Sequence, residues 1–425
     1  MAPGWQHILL ILIVATSILL MLVRPRNIPE VYWVGSGALL LLALRLISPT
    51  LAARAVRQGS DVYLFLAGMM LLSALARDNG VFDWLSAFAV RTARGSGARL
   101  FALIYTIGTA VTIALSNDAT AVVLTPAVLA ATRRSAVEPL PYLFACAMIA
   151  NAASFVLPIS NPANLVLFRS GMPPLAHWLG QFALPSLLSI AGTFAVLRWY
   201  FRRQLRQPIA SSSPASPLPA GGRLVLAGLA LIVGVLLVAS AFKWDLGLPT
   251  CLAALCITAA VCLIGRQSPL PLLREVSWST LALVAALFVL VNAMEGIGAL
   301  RLAHAALAQM QSLPPVRGAL LTAFGLGLGN NVLNNLPVGL IAGSALAASH
   351  AHGLIPAAAL IGVDLGPNLS VTGSLATILW LIALRKQNLN VGFVDFLKVG
   401  ALAMPAALLV SIAGLLSMHA LFRGL

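Results

Sequence analysis

The chain has 425 residues, 60% of them hydrophobic and only 9% charged, with a net charge of +15 and a mean hydropathy of +0.97. A soluble domain of this size needs more charged surface, and the long unbroken apolar runs exclude a transmembrane barrel, whose strands alternate. The class is an all-α polytopic membrane protein, in which a charge of +15 reads as Arg-rich cytoplasmic loops; no soluble basic domain is present to bind nucleic acid.

The chain opens with "MAPGWQHILLILIVATSILLMLV". This stretch lacks a basic leader and a small-residue cleavage site, so it is expected to be a first membrane helix and not a signal peptide. Apolar segments follow at 30–48 and 60–76, then a mixed segment at 78–94. The stretch 98–133 is about 35 residues long, more than the ~20 that one crossing needs, and it is broken at "SNDAT". Segment 139–169 is broken at "LPISNPAN", and 176–200 closes the first half, residues 1–202. Residues 203–222, "RQLRQPIASSSPASPLPAGG", are rich in Pro and Ser and read as a cytoplasmic linker.

The second half, 223–425, repeats the plan. Apolar segments lie at 223–242, 248–265 and 275–293, and a mixed segment at 295–312 is expected to lie at the membrane interface. The stretch 316–350 is broken at "NNVLNNLP", 355–385 is broken at "DLGPNLSVTGS", and 395–421 ends the chain. Aligning the halves puts Asn117 on Asn335, Asn161 on Ser374 and Asn164 on Thr377. Broken helices at corresponding places in two halves point to a secondary transporter built from inverted repeats.

Charge sets the orientation. Stretch 98–133 is flanked by "RTARGSGAR" and by Arg133 and Arg134, so both of its ends are expected at the cytoplasm, as a re-entrant hairpin with "SNDAT" at its tip. Two full spans would have the same periodicity. Five crossings and one hairpin per half give about ten transmembrane helices, both termini outside, and a second hairpin, 316–350, entering from the outer face. Most Lys and Arg then fall at the cytoplasmic side; Arg54 and Arg57 are local exceptions.

Two acidic residues, Asp118 and Asp364, lie at helix breaks deep in the apolar text. A carboxylate at the bilayer centre costs about 2.5–3.5 kcal/mol on insertion scales. Asp118 either caps the half-helix that starts near Ala119 or handles substrate or protons; Asp364 either has such a role or sits close to a membrane interface. Asn117, Asn151, Asn161, Asn164, Asn330, Asn331, Asn334, Asn335 and Asn368 cluster at the same breaks. They serve as caps for exposed helix ends or as the lining of a polar cavity. Pro126, Pro158, Pro162, Pro337 and Pro367 prevent continuous helix there. Such a cavity would be mostly neutral, without a deep Arg or Lys. Cys146, Cys251, Cys256 and Cys262 are scattered without metal-ligand spacing, so no thiolate metal site is expected. "HAH" at 350–352 reads as a loop or as a metal- or pH-sensing pair. No nucleotide-binding lysine loop, catalytic triad or cofactor motif is visible, so neither an ATPase nor another enzyme is expected.

"SNDATAVVLTPAVLA" (116–130), "NNLPVGLIAGSAL" (334–346) and "GVDLGPNLSVTGSLATILWL" (362–381) resemble the arsenical pump membrane protein family, the arsenite efflux permeases of the ion transporter superfamily. The resemblance spans essentially the whole chain. It implies an inner-membrane transporter that exports trivalent arsenic and antimony hydroxides by exchange with protons, in some members together with a cytosolic ATPase. It places substrate at two hairpin tips and two helix breaks. Here those are Ser116, Asn117, Asp118 and Thr120, then Asn161 and Asn164, Asn334 and Asn335, and Gly373, Ser374 and Thr377, with Asp118 and Asp364 as proton-coupling residues. The family pattern also implies a Lys where Asn368 stands and a Pro near Val371; this chain has neither. Relatives in the superfamily keep two alternatives open, a Na⁺-coupled carboxylate carrier and a Na⁺/H⁺ antiporter.

Overall fold

The structure is a computed structural model and describes residues 4–169, 171–210, 217–242, 244–266 and 268–423. It is all-helical: among the described residues, the only β-type pairing is an isolated bridge between Ser96 and Pro208. The first half runs α1 (Gly4–Val23), α2 (Glu30–Ala43), α3 (Pro49–Gln58), α4 (Ser60–Asp78), α5 (Val81–Ala93), α6 (Gly97–Ala114), α7 (Thr125–Arg134), α8 (Leu140–Ala152), α9 (Pro162–Leu167) and α10 (Leu175–Tyr200). The second runs α11 (Ala220–Ala241), α12 (Gly247–Gly265), α13 (Leu270–Glu275), α14 (Trp278–Gly296), α15 (Arg301–Ser312), α16 (Pro315–Leu333), α17 (Asn335–Ala348), α18 (Leu354–Leu365), α19 (Leu375–Lys386) and α20 (Phe393–Arg423). The order of lengths and breaks in α1–α10 recurs in α11–α20. The middle of the expected linker, 211–216, lies outside the described residues.

Eight described helices are long and apolar enough to cross a membrane: α1, α4, α6, α10, α11, α12, α14 and α20. The chain is therefore a multi-pass membrane protein. Length and composition together select α6, one arm of the first expected hairpin, and pass over α2 and the broken pairs α8/α9 and α18/α19. Two short helices, α3 and α13, were not foreseen. Ser48 caps α3 by accepting from Leu51 N at 3.1 Å, and Pro49 supplies the fixed φ of a first turn. The expected linker is shorter than 203–222 at its far end, because α11 begins at Ala220.

Packing is reciprocal between the halves. Helix α4 lies against α12 and α2 against α14, while α10 and α20 pair with each other. At the α10–α20 contact the Ser411 hydroxyl donates to the Pro185 carbonyl at 3.2 Å. Helix α16 approaches α18 so closely that a Cβ at Gly362 would run into the Ala323 carbonyl and one at Gly366 into the Gly327 carbonyl. Only glycine permits that backbone contact, the small-residue packing that membrane helices use in place of hydrophobic collapse.

Both ends of the α6–α7 stretch return to one place. Consecutive linker residues bond to them: Ile209 N donates to Gly95 O at 3.0 Å, and Ala210 N to Ser135 O at 3.1 Å. The α16–α17 stretch is closed at its base by Gln311 Nε2 and His352 Nδ1, 2.6 Å apart.

Candidate functional site

The break at 115–118 forms because the chain caps itself. The Asn117 Oδ1 accepts from Asp118 N at 2.9 Å and the Ser116 Oγ from Ala119 N at 3.3 Å. One wide π-turn, Ala119–Leu124, then leads into α7. Pro126 accounts for the widening, since its ring clashes with the carbonyl four residues back and offers no N–H. Because Ser116 and Asn117 do the capping, Asp118 does not. Its carboxylate accepts no hydrogen bond among the described residues, and it is half-buried in a cavity wall.

The other breaks are capped in the same manner. Asn161 Oδ1 accepts from Ala163 N at 3.0 Å and starts α9. Asn334 Oδ1 accepts from Leu336 N at 3.4 Å and starts α17. Ser374 Oγ accepts from Thr377 N at 3.1 Å and starts α19. Asn334 has φ 75° and ψ 154°, a region that only glycine visits without strain of about 1–3 kcal/mol. Asn334 Nδ2 donates to Thr372 O at 3.4 Å, and Asn335 N donates to Gly373 O at 3.0 Å, which holds the tip of α16–α17 against the break before α19.

Five of the expected residues meet in one central cavity: Asn117, Asp118, Asn161, Asn335 and Ser374, with Leu66 from α4 and Thr280 from α14. This cavity is a neck of about 20 Å³, room for a single water-sized group. It opens into a vestibule of about 160 Å³ that shares Asp118, Leu66, Pro162, Thr280 and Leu375 and also reaches Ser116. Met69, Met70, Val122 and Val123 wall the vestibule. Arg77, ion-paired with Glu275 and Asp78, stands in its lining at the end of α4. Among the described residues, no Arg, Lys or His lines the central cavity.

The remaining expected residues stand behind this surface. Thr120 bonds Thr112 at 2.8 Å and faces α6. Asn164 uses its amide to brace the carbonyls of Ser154, Leu157 and Pro158. Thr377 bonds the Ser374 hydroxyl at 2.9 Å, and Gly373 contributes its carbonyl to Asn335. Asp364 is completely buried; its Oδ1 accepts from Asn161 Nδ2 at 2.8 Å, so it touches the cavity only through Asn161. Asn368, standing where the family pattern implies Lys, accepts from Asn151 Nδ2 at 2.9 Å through its Oδ1 and donates to Met148 O at 3.0 Å. Leu66, Thr280 and the Arg77–Glu275 pair were not foreseen. Leu66, Arg77 and Thr280 come from helices whose sequence is ordinary for a membrane span, Glu275 ends the short α13, and only tertiary packing brings them here.

Known proteins resemble this chain over most of its length. The "Arsenical pump membrane protein" of Yersinia enterocolitica is 28% identical over 367 residues, 82% of this chain and 84% of that protein. The protein of the same name from Escherichia coli K12 is 26% identical over 359 residues, with the same coverage. A "Putative arsenical pump membrane protein" of Bacillus subtilis is 22% identical over 418 residues, 92% of this chain and 94% of that protein. Among solved structures, the YdaH transporter of Alcanivorax borkumensis has a similar fold, with a TM-score of 0.54 at 17% identity over 88% of each chain. The profile of the CitMHS family, described as citrate transporter, matches residues 5–363, a range that includes both tips and the first break. With five-sixths of its length matched and a helical membrane fold around broken helices, the chain belongs to the CitMHS citrate transporter family.

Proposed function

We propose that this transporter exports small neutral metalloid hydroxides of the arsenite and antimonite type from the cytoplasm, in exchange for protons carried by Asp118. One observation carries the reading: the Asn117 Nδ2, the Asp118 carboxylate and the Asn335 side-chain amide face the central cavity without a partner among the described residues. Arsenous acid is an uncharged triol at physiological pH, and two amides and a carboxylate can hold it by hydrogen bonds. In the central cavity a tricarboxylate such as citrate would instead meet Asp118 with no Arg, Lys or His in the lining, and Arg77 in the vestibule is already paired with Glu275 and Asp78. The names of the relatives favour the same cargo. A neutral cargo moves no charge, so a coupled ion must supply the drive. One proton entering across ~100 mV is worth about 2.3 kcal/mol, roughly a fifty-fold gradient.

The two halves act as inverted repeats in this proposal, 1–202 and 223–425. The bonds from Ile209 and Ala210 to the two ends of α6–α7 favour a hairpin that enters and leaves at one face, and the Gln311–His352 closure favours the same for α16–α17. Basic residues surround the first base, so the vestibule is read as opening to the cytoplasm of an inner-membrane protein. Opening the neck to cargo size then requires the two tips to part. Transport into everted membrane vesicles, measured for arsenite, citrate and Na⁺ in parallel, tests the assignment. Proton-dependent accumulation of arsenite alone supports it. Citrate uptake driven by Na⁺, or proton-driven Na⁺ movement without arsenite, replaces it by a carboxylate carrier or a Na⁺/H⁺ antiporter.

A further inference from the structure

We infer that Glu295, at the outer end of α14, frames the exit route of this transporter and exchanges ion-pair partners during transport. It pairs with Arg169 while the outer mouth is shut and with Arg57 when that mouth opens. The inference rests on the reading of the two halves as inverted repeats, and it holds whatever the cargo is.

In that reading one constant offset relates the halves as far as the two tips. Helix α4 (Ser60–Asp78) aligns end to end with α14 (Trp278–Gly296), the start of α6 at Gly97 with the start of α16 at Pro315, and Asn117 with Asn335. The same offset carries the wall of the vestibule onto a second cavity. Phe65, Met69, Ser116, Asp118 and Ala119 line the vestibule. Their counterparts Leu283, Leu287, Asn334, Leu336 and Pro337 all line one other cavity. The vestibule holds about 160 Å³ and its counterpart about 10 Å³, so one chamber is open and the other collapsed. A carrier that rocks one repeat against the other has this asymmetry at one end of its stroke.

The charges at the two mouths follow the offset with their signs exchanged: Arg77 falls on Glu295, and Glu275 on Arg57. At the open vestibule Arg77 and Glu275 are paired. At the collapsed one Glu295 instead reaches Arg169, just past α9, at 3.5 Å. Arg57 is exposed and pairs with no carboxylate among the described residues. It is nevertheless at hand, because α3 packs against α14 as α13 packs against α4. The Arg169 contact is easily given up: it is long, and the buried Arg169 Nη1 has no partner. While it lasts, it ties the end of α9 to the end of α14. Helix α9 in turn lies tight on α17, where a Cβ at Gly343 would meet the Leu167 carbonyl at 2.6 Å. The exchange also gives Arg57 a role on the outer side, where the usual charge bias disfavours it.

The test places a thiol in the collapsed chamber. Leu287→Cys, in a full chain whose four native cysteines are replaced, is exposed to an impermeant maleimide from the outer side of right-side-out vesicles, without cargo. Its labelling rate reports how often the outer mouth opens. Arg169→Gln, which removes the shut pair, should raise the rate about two- to fivefold, and Arg57→Gln, which removes the open pair, should lower it by a similar factor. Glu295→Gln removes both pairs and should stay near the parent rate. Should Leu287→Cys fail to fold, Leu283→Cys probes the same chamber. A rate raised equally by Glu295→Gln and Arg169→Gln, with Arg57→Gln unchanged, would overturn the exchange and leave a simple latch. Rates that none of the three changes, or no labelling from outside in any variant, would overturn the exit route itself. Arg134→Cys and His352→Cys, labelled from each side, test the inverted repeats separately, and since no cargo is moved, failure here is also distinct from failure of arsenite export.

Discussion

Replacing Asp118 by Asn should separate coupling from folding. The carboxylate accepts no hydrogen bond among the described residues, because Ser116 and Asn117 cap the half-helix in its place. Asn has nearly the same shape, so no packing is lost and no partner is orphaned. The expected change in stability is within about 0.5 kcal/mol, the range of substitutions that break no named interaction. The effect on transport should be far larger. If Asp118 is the group that releases one proton per cycle, its loss removes about 2.3 kcal/mol per ~100 mV. Accumulation should then fall from roughly fifty-fold to no gradient. The sign is fixed by the vesicle geometry. Respiration makes the lumen of an everted vesicle acidic and positive, protons leave through the carrier, and arsenite enters. The assay is radiolabelled arsenite uptake with and without a protonophore, paired with arsenite–arsenite exchange in proteoliposomes. Asp118→Asn should exchange but not accumulate. A folded variant that still accumulates arsenite with normal dependence on lumenal pH would refute the reasoning.

Three other outcomes follow from the geometry. Replacing all four cysteines, with Ala at the completely buried Cys146, should cost about 1 kcal/mol and leave arsenite transport intact; loss of transport in a folded variant would indicate thiolate ligation. In that background, Arg134→Cys should react with an impermeant maleimide only from the cytoplasmic side and His352→Cys only from outside. Labelling of both from one side would end the inverted-repeat reading. Gly366→Val should destabilise the α16–α18 contact by on the order of 3 kcal/mol and reduce the monodisperse fraction on size-exclusion chromatography.

Most helices were legible because an apolar run bounded by Pro, Asn or Gly is an unambiguous signal in a membrane chain. The segments expected at 98–133 and 316–350 match α6–α7 and α16–α17 within a few residues. Helix α3 was hidden because "PTLAARAVRQ" is short and continues an apolar run into an amphipathic one. At the site, the sequence indicated distance from a break but not direction. Asn117 and Asn335 face the cavity, whereas Asn164 and Thr120, equally near a break, turn away to brace loops. The opposite case is Asp118, where two readings stood open from the sequence. Only the positions of Ser116 and Asn117 settle that the cap is theirs.

The ion pair at the vestibule has a kinetic consequence. Arg77 and Glu275 remain 46% and 37% exposed, and a pair that wet contributes about 0–1 kcal/mol, less as salt screens it. If the pair acted as a latch, that strength would favour a shut form no more than about fivefold. It cannot be what prevents leakage across the bilayer. In the proposed transporter, insulation would fall instead to the 20 Å³ neck between the two tips. Mutations at Arg77 or Glu275 should therefore alter how fast cargo arrives without making the membrane permeable to protons.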